Sequence, residues 1–194
     1  MTTIIGIAGS LRKGSLNAAL LRAAARSMPA IVACSSVLPA GITLEQATIA
    51  GIPLYDGDVE VAQGIPPLVA ALKDRVAAAD GLLLVTPEYN NSIPGVLKNA
   101  IDWLSRPDAD IPRVFGGKRV ALIGASPGGF GTILSQNAWL PVLKTLGTDL
   151  WAGKKLLVSR ARTIFDDSGN LTDSKVAEQL TAFLQGFVTF VARR

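Results

Sequence analysis

The stretch TIIGIAGSLRKGSLN (Thr3–Asn17) decides the fold. Thr3–Ala8 is short, apolar and rich in β-branched residues, the pattern of a buried strand. Gly9–Gly14 interrupts it with loop residues. Ser15 then stands where a helix N-cap belongs. Leu16, Leu20 and Leu21 fall on one helical face, with Arg22 and Arg26 elsewhere, as far as about Ser27. Strand, glycine-bearing loop and helix form the first half of a βαβ unit, so the rest of the chain can be read for its continuation.

The alternation does continue. Pro29–Ala40 reads as either a helical stretch or a loop. Ile42–Thr48 reads as a strand and Ile52–Asp58 as turn-rich. Pro66–Ala79 is a helix opened by two prolines, a position where proline is tolerated. Gly81–Thr86 (GLLLVT) is wholly apolar up to its last residue, as a central parallel strand would be. Pro94–Leu104 is helical, with Val96, Leu97, Ala100, Ile101 and Leu104 at core spacing. Lys118–Ala125 is another buried strand. Gly131–Leu146 is helical, with Pro141 expected to kink or break it. Lys155–Ser159 is a last strand and Ser174–Ala192 a terminal helix. Five strands alternating with about five helices make an α/β doubly wound parallel sheet with helices on both faces. A single domain is expected over residues 1–194.

Composition narrows the chemistry. The chain has 194 residues, 49% of them apolar and 18% charged, which excludes disorder and allows a sizeable core. Its apolar runs are far shorter than the ~20 residues of a membrane span. No basic region precedes the first apolar stretch, so it does not read as a signal peptide. The one cysteine, Cys34, leaves no disulfide framework and no multi-cysteine metal site, and suits a reducing cytoplasm. Histidine is absent, which removes Ser-His-Asp and Cys-His machinery and His-ligated metals. The net charge of +4 comes without a run of five like charges. Small anionic ligands therefore suit it better than nucleic acid.

In doubly wound sheets ligands bind beyond the carboxyl ends of the strands, where strand order reverses. Three loops lie there. The first, Gly9–Asn17, offers backbone N–H groups at a helix N-terminus, the short donors Ser10, Ser15 and Asn17, and the Arg12 fork. It is neither G-x-G-x-x-G nor G-x-x-x-x-G-K-[ST]. Hydroxyls with one arginine suit a terminal phosphate monoester better than a bridging pyrophosphate. The plainer reading is a strand-to-helix turn capped by Ser15. The second, Thr86–Gly95, is stiffened by Pro87 and Pro94. It presents Glu88, Tyr89 and Asn90 to the edge of a flat heteroaromatic ring, or else merely connects strand to helix. The third, Ser126–Gly131, has Gly128 and Gly129, where backbone can approach a ligand closely, and Ser126 as a donor. On its own it is an ordinary flexible turn.

Together the three loops resemble the NAD(P)H-dependent FMN reductase family, which includes bacterial quinone, azo-dye and chromate reductases. The residues that carry the resemblance are GSLRKGSLN (Gly9–Asn17), TPEYNNSIPGVLKNAIDWLSRP (Thr86–Pro107) and GASPGGFG (Gly124–Gly131). A terminal segment from Ser159 to Asp173 supports them. The resemblance implies a flavodoxin-like five-stranded sheet of order 2-1-3-4-5. Ser10, Arg12, Ser15, Leu16 (through its backbone amide) and Asn17 would hold the FMN phosphate. Pro87, Glu88, Tyr89 and Asn90 would line the isoalloxazine, mostly through main chain. Ser126, Gly128 and Gly129 would complete the ribityl or ring contacts. A homodimer or homotetramer is also implied. Trp103, Trp139 and Trp151 are candidates for such an interface, or for the core.

The missing histidine fits this reading, because a flavin carries the redox chemistry itself. The resemblance implies ping-pong transfer from NAD(P)H through FMN to a quinone, azo compound, metal oxyanion such as chromate, or free flavin. Protons can come from solvent, so no catalytic side chain and no metal is expected. The rival reading is a flavodoxin-type electron carrier without nucleotide oxidation, which the positive net charge and Arg12 oppose. Cys34 reads as structural.

Overall fold

The computed structural model describes residues 2–34 and 41–193. The chain runs β1 (Thr2–Ala8), α1 (Leu16–Ala33), β2 (Ile42–Ala47), α2 (Gly57–Gln63), α3 (Pro67–Ala78), β3 (Gly81–Val85), α4 (Gly95–Leu104), α5 (Ile111–Val114), β4 (Arg119–Ala125), α6 (Ile133–Thr145), β5 (Asp149–Leu150), β6 (Leu156–Val158) and α7 (Ser174–Ala192). All pairings are parallel and the order is β2-β1-β3-β4-β5, with β6 also on β4. This is the flavodoxin-like order implied by the sequence resemblance.

Side chains alternate across the sheet with the period of two that a strand imposes. Leu83, Val85, Ala121 and Ile123 face α1 and α7, meeting Leu20, Leu21, Phe183, Leu184 and Phe187. Leu82, Leu84, Val120 and Leu122 face the other way, onto Val69, Val76, Leu97, Ile101, Trp103 and Trp139 of α3, α4 and α6. Every residue of β3 is buried, as an all-apolar central strand requires.

Four sequence expectations change. The fifth strand position holds two short strands, so the sheet has six strands among the described residues rather than five. β5 pairs with Arg119–Val120 and β6 with Ile123–Ala125. Between them the chain swings out so that Trp151 can pack edge-on against Phe183, with ring centroids 4.7 Å apart. Gly153 and Gly186 leave it room; a Cβ on either would sit 2.7 and 2.6 Å from the indole. Pro141 neither breaks nor ends α6, because it lies on the exposed face. The turn-rich segment Ile52–Asp58 runs into a helix, α2, which buries none of its residues. It hangs on polar contacts instead. Tyr55 Oη and Arg106 Nε both donate to Glu60, at 2.9 and 2.8 Å, and Arg106 lies over the Tyr55 ring. Finally, the helix from Ser15 continues to Ala33. Of Pro29–Ala40, residues 35–40 lie outside the described residues.

Trp103 and Trp139 are fully buried and Trp151 is half-buried against the α7 side of the core, so all three serve packing. No helix of the structure is long and apolar enough to cross a membrane.

Candidate active site

The three loops converge at the carboxyl ends of β1, β3 and β4. Ser10, Arg12, Ser15, Leu16, Asn17, Pro87, Glu88, Tyr89, Ser126 and Pro127 line one cleft. Asn90 lies in the same second loop, and Gly128 and Gly129 continue the third. The structure therefore brings nine of the expected residues together from three segments distant in sequence, while Asn90, Gly128 and Gly129 do not line the cleft.

The first loop leaves several donors without an acceptor. Ser15 Oγ accepts from the Ala18 N–H at 3.1 Å, so its own hydroxyl hydrogen stays available. Ser10 Oγ accepts from the Arg12 N–H at 3.4 Å and the Tyr89 hydroxyl at 3.2 Å, which leaves its hydrogen available too. The N–H groups of Leu16 and Asn17, in the first turn of α1, have no acceptor in the helix. Arg12 and Lys13 are exposed and form no ion pair among the described residues. A dianionic phosphate meets such a set without competition.

Asn17 differs from its expected role. Its Nδ2 donates to the Ala125 carbonyl at 2.8 Å and its Oδ1 accepts the Ala125 N–H at 2.9 Å. The buried amide thus substitutes for a neighbouring strand at the end of β4, and ties the first loop to the third. Its backbone N–H remains for a ligand. Glu88 differs in the same way. Its carboxylate accepts the N–H groups of Leu134 and Ser135, at 2.8 and 3.1 Å. It caps α6, whose own N-cap, Thr132, makes no side-chain capping bond.

The second loop is a miniature hairpin. Tyr89 and Ser92 exchange backbone hydrogen bonds at 3.2 and 3.0 Å. Asn90 and Asn91 between them both have positive φ, 50° and 60°, as a two-residue type I′ turn demands. Asparagine tolerates that region better than most residues.

Beneath this hairpin lies a buried polar cluster. Thr86 Oγ1 donates to the Pro87 carbonyl at 2.9 Å, accepts Trp139 Nε1–H at 3.1 Å and lies 2.9 Å from Ser135 Oγ. All three side chains are fully buried. None of these residues was among the expected site residues. In the sequence Thr86 merely opens the second loop, and the sign of the other two is the i, i+4 spacing of Ser135 and Trp139, which puts both on one face of α6.

In the third loop the Ser126 N–H and carbonyl are engaged by Val158 and Ala161, and the Gly128 carbonyl by the Arg160 N–H. A Cβ on Gly129 would meet nothing within 4 Å, and on Gly128 only Ser126 Oγ at 3.7 Å. The surface over these glycines is open. Glycine is obligatory at two neighbours instead. Gly131 has φ +64° against the Leu157 backbone, and a Cβ on Gly124 would lie 2.2 Å from the Thr86 carbonyl oxygen. A larger hollow of about 390 Å³ beside β2 shares only Ser10 with this cleft. Its Arg75 already pairs with Glu45, so no charge is left unmet there.

The donor-rich first loop, the flat turn at Tyr89–Ser92 and the open backbone at Gly128–Gly129 together fit a phosphorylated, planar cofactor such as FMN. A sequence model of the NADPH-dependent FMN reductase family matches residues 2–162. An NAD(P)H-dependent FMN reductase of Pseudomonas aeruginosa is 42% identical over 190 residues, covering 98% of this chain and 95% of that protein. A 2-hydroxy-1,4-benzoquinone reductase of a Burkholderia species is 36% identical, covering 97% of this chain and 95% of that protein. Among solved structures, a flavoenzyme NAD(P)H:(acceptor) oxidoreductase of Paracoccus denitrificans superposes with a TM-score of 0.82 at 33% identity, covering 98% and 97% of the two chains.

Proposed function

This chain belongs to the NADPH-dependent FMN reductase family, and from that premise we propose that its three-loop cleft holds FMN and serves quinones as electron acceptors. The protein is an FMN-dependent NAD(P)H oxidoreductase. When bound in the cleft, FMN would supply the redox chemistry, a two-electron exchange between NAD(P)H and an acceptor.

The chain's own residues bind and orient. The Arg12 fork, the Ser10 and Ser15 hydroxyls and the N–H groups of Leu16 and Asn17 take the phosphate. Pro87, Glu88, Tyr89 and Asn90 form the wall for the ring, stiffened by the hairpin. Ser126, Gly128 and Gly129 close the other side through an unpaired hydroxyl and open backbone. No side chain has to move a proton, since the cleft is open to water. Donor and acceptor use the same face in turn, which gives ping-pong kinetics.

The observation that carries the reading is the first loop, where the hydroxyls of Ser10 and Ser15 and the N–H groups of Leu16 and Asn17 are free to donate and Arg12 and Lys13 form no ion pair among the described residues. Quinones are favoured because Tyr89, 42% exposed, lines the cleft with aromatic surface. The Burkholderia relative also acts on a benzoquinone, according to its name. Azo compounds, chromate and free flavin fit the same open site as secondary acceptors. A homodimer or homotetramer is part of the proposal. Phe130, Leu134 and Leu140 are exposed apolar residues on and before α6, a surface that a second copy would cover.

The test is a visible spectrum of the purified protein, followed by anaerobic titration with NADPH and NADH and then re-oxidation by a benzoquinone, an azo dye, chromate or FMN. Expected are a flavin spectrum, bleaching by a nicotinamide, and fastest recovery with the quinone, with parallel double-reciprocal plots. A protein that binds no FMN, or binds it without oxidising either nucleotide, overturns the reading.

A further inference from the structure

We propose that Thr86, Ser135 and Trp139 form a buried positioning device that sets the direction of one main-chain donor at the flavin ring. The inference rests on the FMN reading above.

The hydroxyl of Thr86 can donate once and accept twice. Its one hydrogen goes to the Pro87 carbonyl, and one lone pair takes the Trp139 indole N–H, which can only donate. The remaining lone pair faces Ser135 Oγ at 2.9 Å, so Ser135 must be the donor there. Every capacity of Thr86 Oγ1 is thus used, and no alternative hydroxyl rotamer satisfies the same partners. The residue is fixed on its other sides as well. Its N–H donates to the Ile123 carbonyl at 2.8 Å, and its own carbonyl lies where a Cβ on Gly124 would be.

The consequence falls on the Pro87–Glu88 peptide. The Pro87 carbonyl is turned inward, onto the Thr86 hydroxyl. The peptide is trans, so the Glu88 N–H points the opposite way. That side is the cleft, which Pro87 and Glu88 both line. The Glu88 N–H has no acceptor among the described residues. It is a donor held toward the ring by three side chains that never reach the ligand.

On the polar edge of the ring the N1–C2=O group is an acceptor, beside the N3–H donor, and reduction adds negative charge at N1 and O2, where the Glu88 N–H would meet it. A fixed N–H therefore favours the reduced ring over the oxidised one. With the Thr86 anchor gone, the peptide is free to rotate and that preference fades. The outer end of the same loop stays in place, because the Glu88 carboxylate is separately bound to α6.

The test compares Thr86→Val, which keeps the shape and removes the hydroxyl, with Thr86→Ser, which keeps the hydroxyl and removes a methyl. Measured for each are the FMN dissociation constant by flavin fluorescence, the two-electron potential of bound FMN, the melting temperature, and the indole N–H resonance of Trp139. Expected for Thr86→Val is a lower potential and FMN binding about fivefold to tenfold weaker, with a moved indole resonance. Expected for Thr86→Ser is near-native potential and affinity despite a lower melting temperature. Ser135→Ala, the milder change should Thr86→Val not fold, shifts the potential the same way by less. A native potential in Thr86→Val or, if that variant does not fold, in Ser135→Ala overturns the proposal, as does a Thr86→Ser potential as low as that of Thr86→Val. If the wild-type protein binds no FMN, the flavin reading itself fails, and that result is distinct because it appears before any variant is made.

Discussion

The two ends of the cleft are built on opposite principles. At the proposed phosphate end, Ser10, Ser15, Leu16 and Asn17 leave donors free and Arg12 forms no ion pair among the described residues. At the ring end, Thr86, Glu88, Ser135 and Trp139 spend their polar groups on one another or on nearby backbone. A dianion supplies its own acceptors and attracts from a distance, so donors can wait for it in water. A flat ring supplies little charge and must find its wall already in place. Preorganisation there has to come from inside the protein.

The largest expected effect breaks the ring end from below. In Gly124→Ala the new Cβ meets the Thr86 carbonyl oxygen at 2.2 Å and Thr132 Oγ1 at 2.1 Å, with backbone on one side. Overpacking of this kind costs about 3 kcal/mol, or roughly 10 °C in melting temperature for a chain of this size. FMN binding should fall with it; thermal melts of the apo-protein and flavin titration check both.

Arg12→Ala should separate the two ends most cleanly. Loss of a charge-assisted contact to phosphate weakens FMN binding about tenfold to a hundredfold. The apo-protein should melt as the wild type does, since Arg12 is exposed and unpaired. Unchanged FMN affinity would place the phosphate elsewhere.

Glu88→Ala is expected to do the reverse. Two N–H groups at the start of α6 lose their acceptor, costing about 1 kcal/mol and about 2–4 °C. The FMN affinity should change less than in Arg12→Ala. A larger loss of affinity than of stability would mean that the carboxylate meets the ligand directly.

A polar patch remote from both ends supplies a baseline. The Arg106 guanidinium, donating to Glu60, holds its carboxyl below the usual carboxylate range, and Lys73 does the same for Asp110. A carboxyl depressed in the folded state stabilises above its unfolded pKa, and that contribution is lost as pH falls through the folded value. Because α2 buries no residue, acid should loosen Gly57–Gln63 first, below about pH 4. Hydrogen exchange should show this loosening while the β1 and β3 amides stay protected. The smallest expected effect is none at all. Alkylation of the exposed Cys34, far along the chain from all three loops, should leave NADPH oxidation unchanged.

Much of the fold was legible because its signals are local. The apolar run at Gly81–Val85, the Ser15 cap and the leucine spacing of α1 each declare an element within a few residues. The split edge strand was not legible, since it depends on Trp151 finding Phe183 from a helix more than thirty residues away. Helix α2 escaped notice because it has no apolar face to read. Pro141 does not break its helix for the converse reason, as a proline on an exposed helical face leaves only a solvent-facing carbonyl unpaired.

The site divides along the same line. The sequence by itself marked three loops as candidates for ligand chemistry and excluded histidine-based catalysis, because residue types and their order settle donor content. Only the tertiary structure decided how those donors are used. The Asn17 amide is spent on Ala125, the Glu88 carboxylate on α6, and Thr86 on the Pro87 carbonyl. A hydrogen bond is a property of a pair, and each partner here lies on a different element or is reached only by a particular turn of the backbone. No reading along the chain shows which donors folding leaves free.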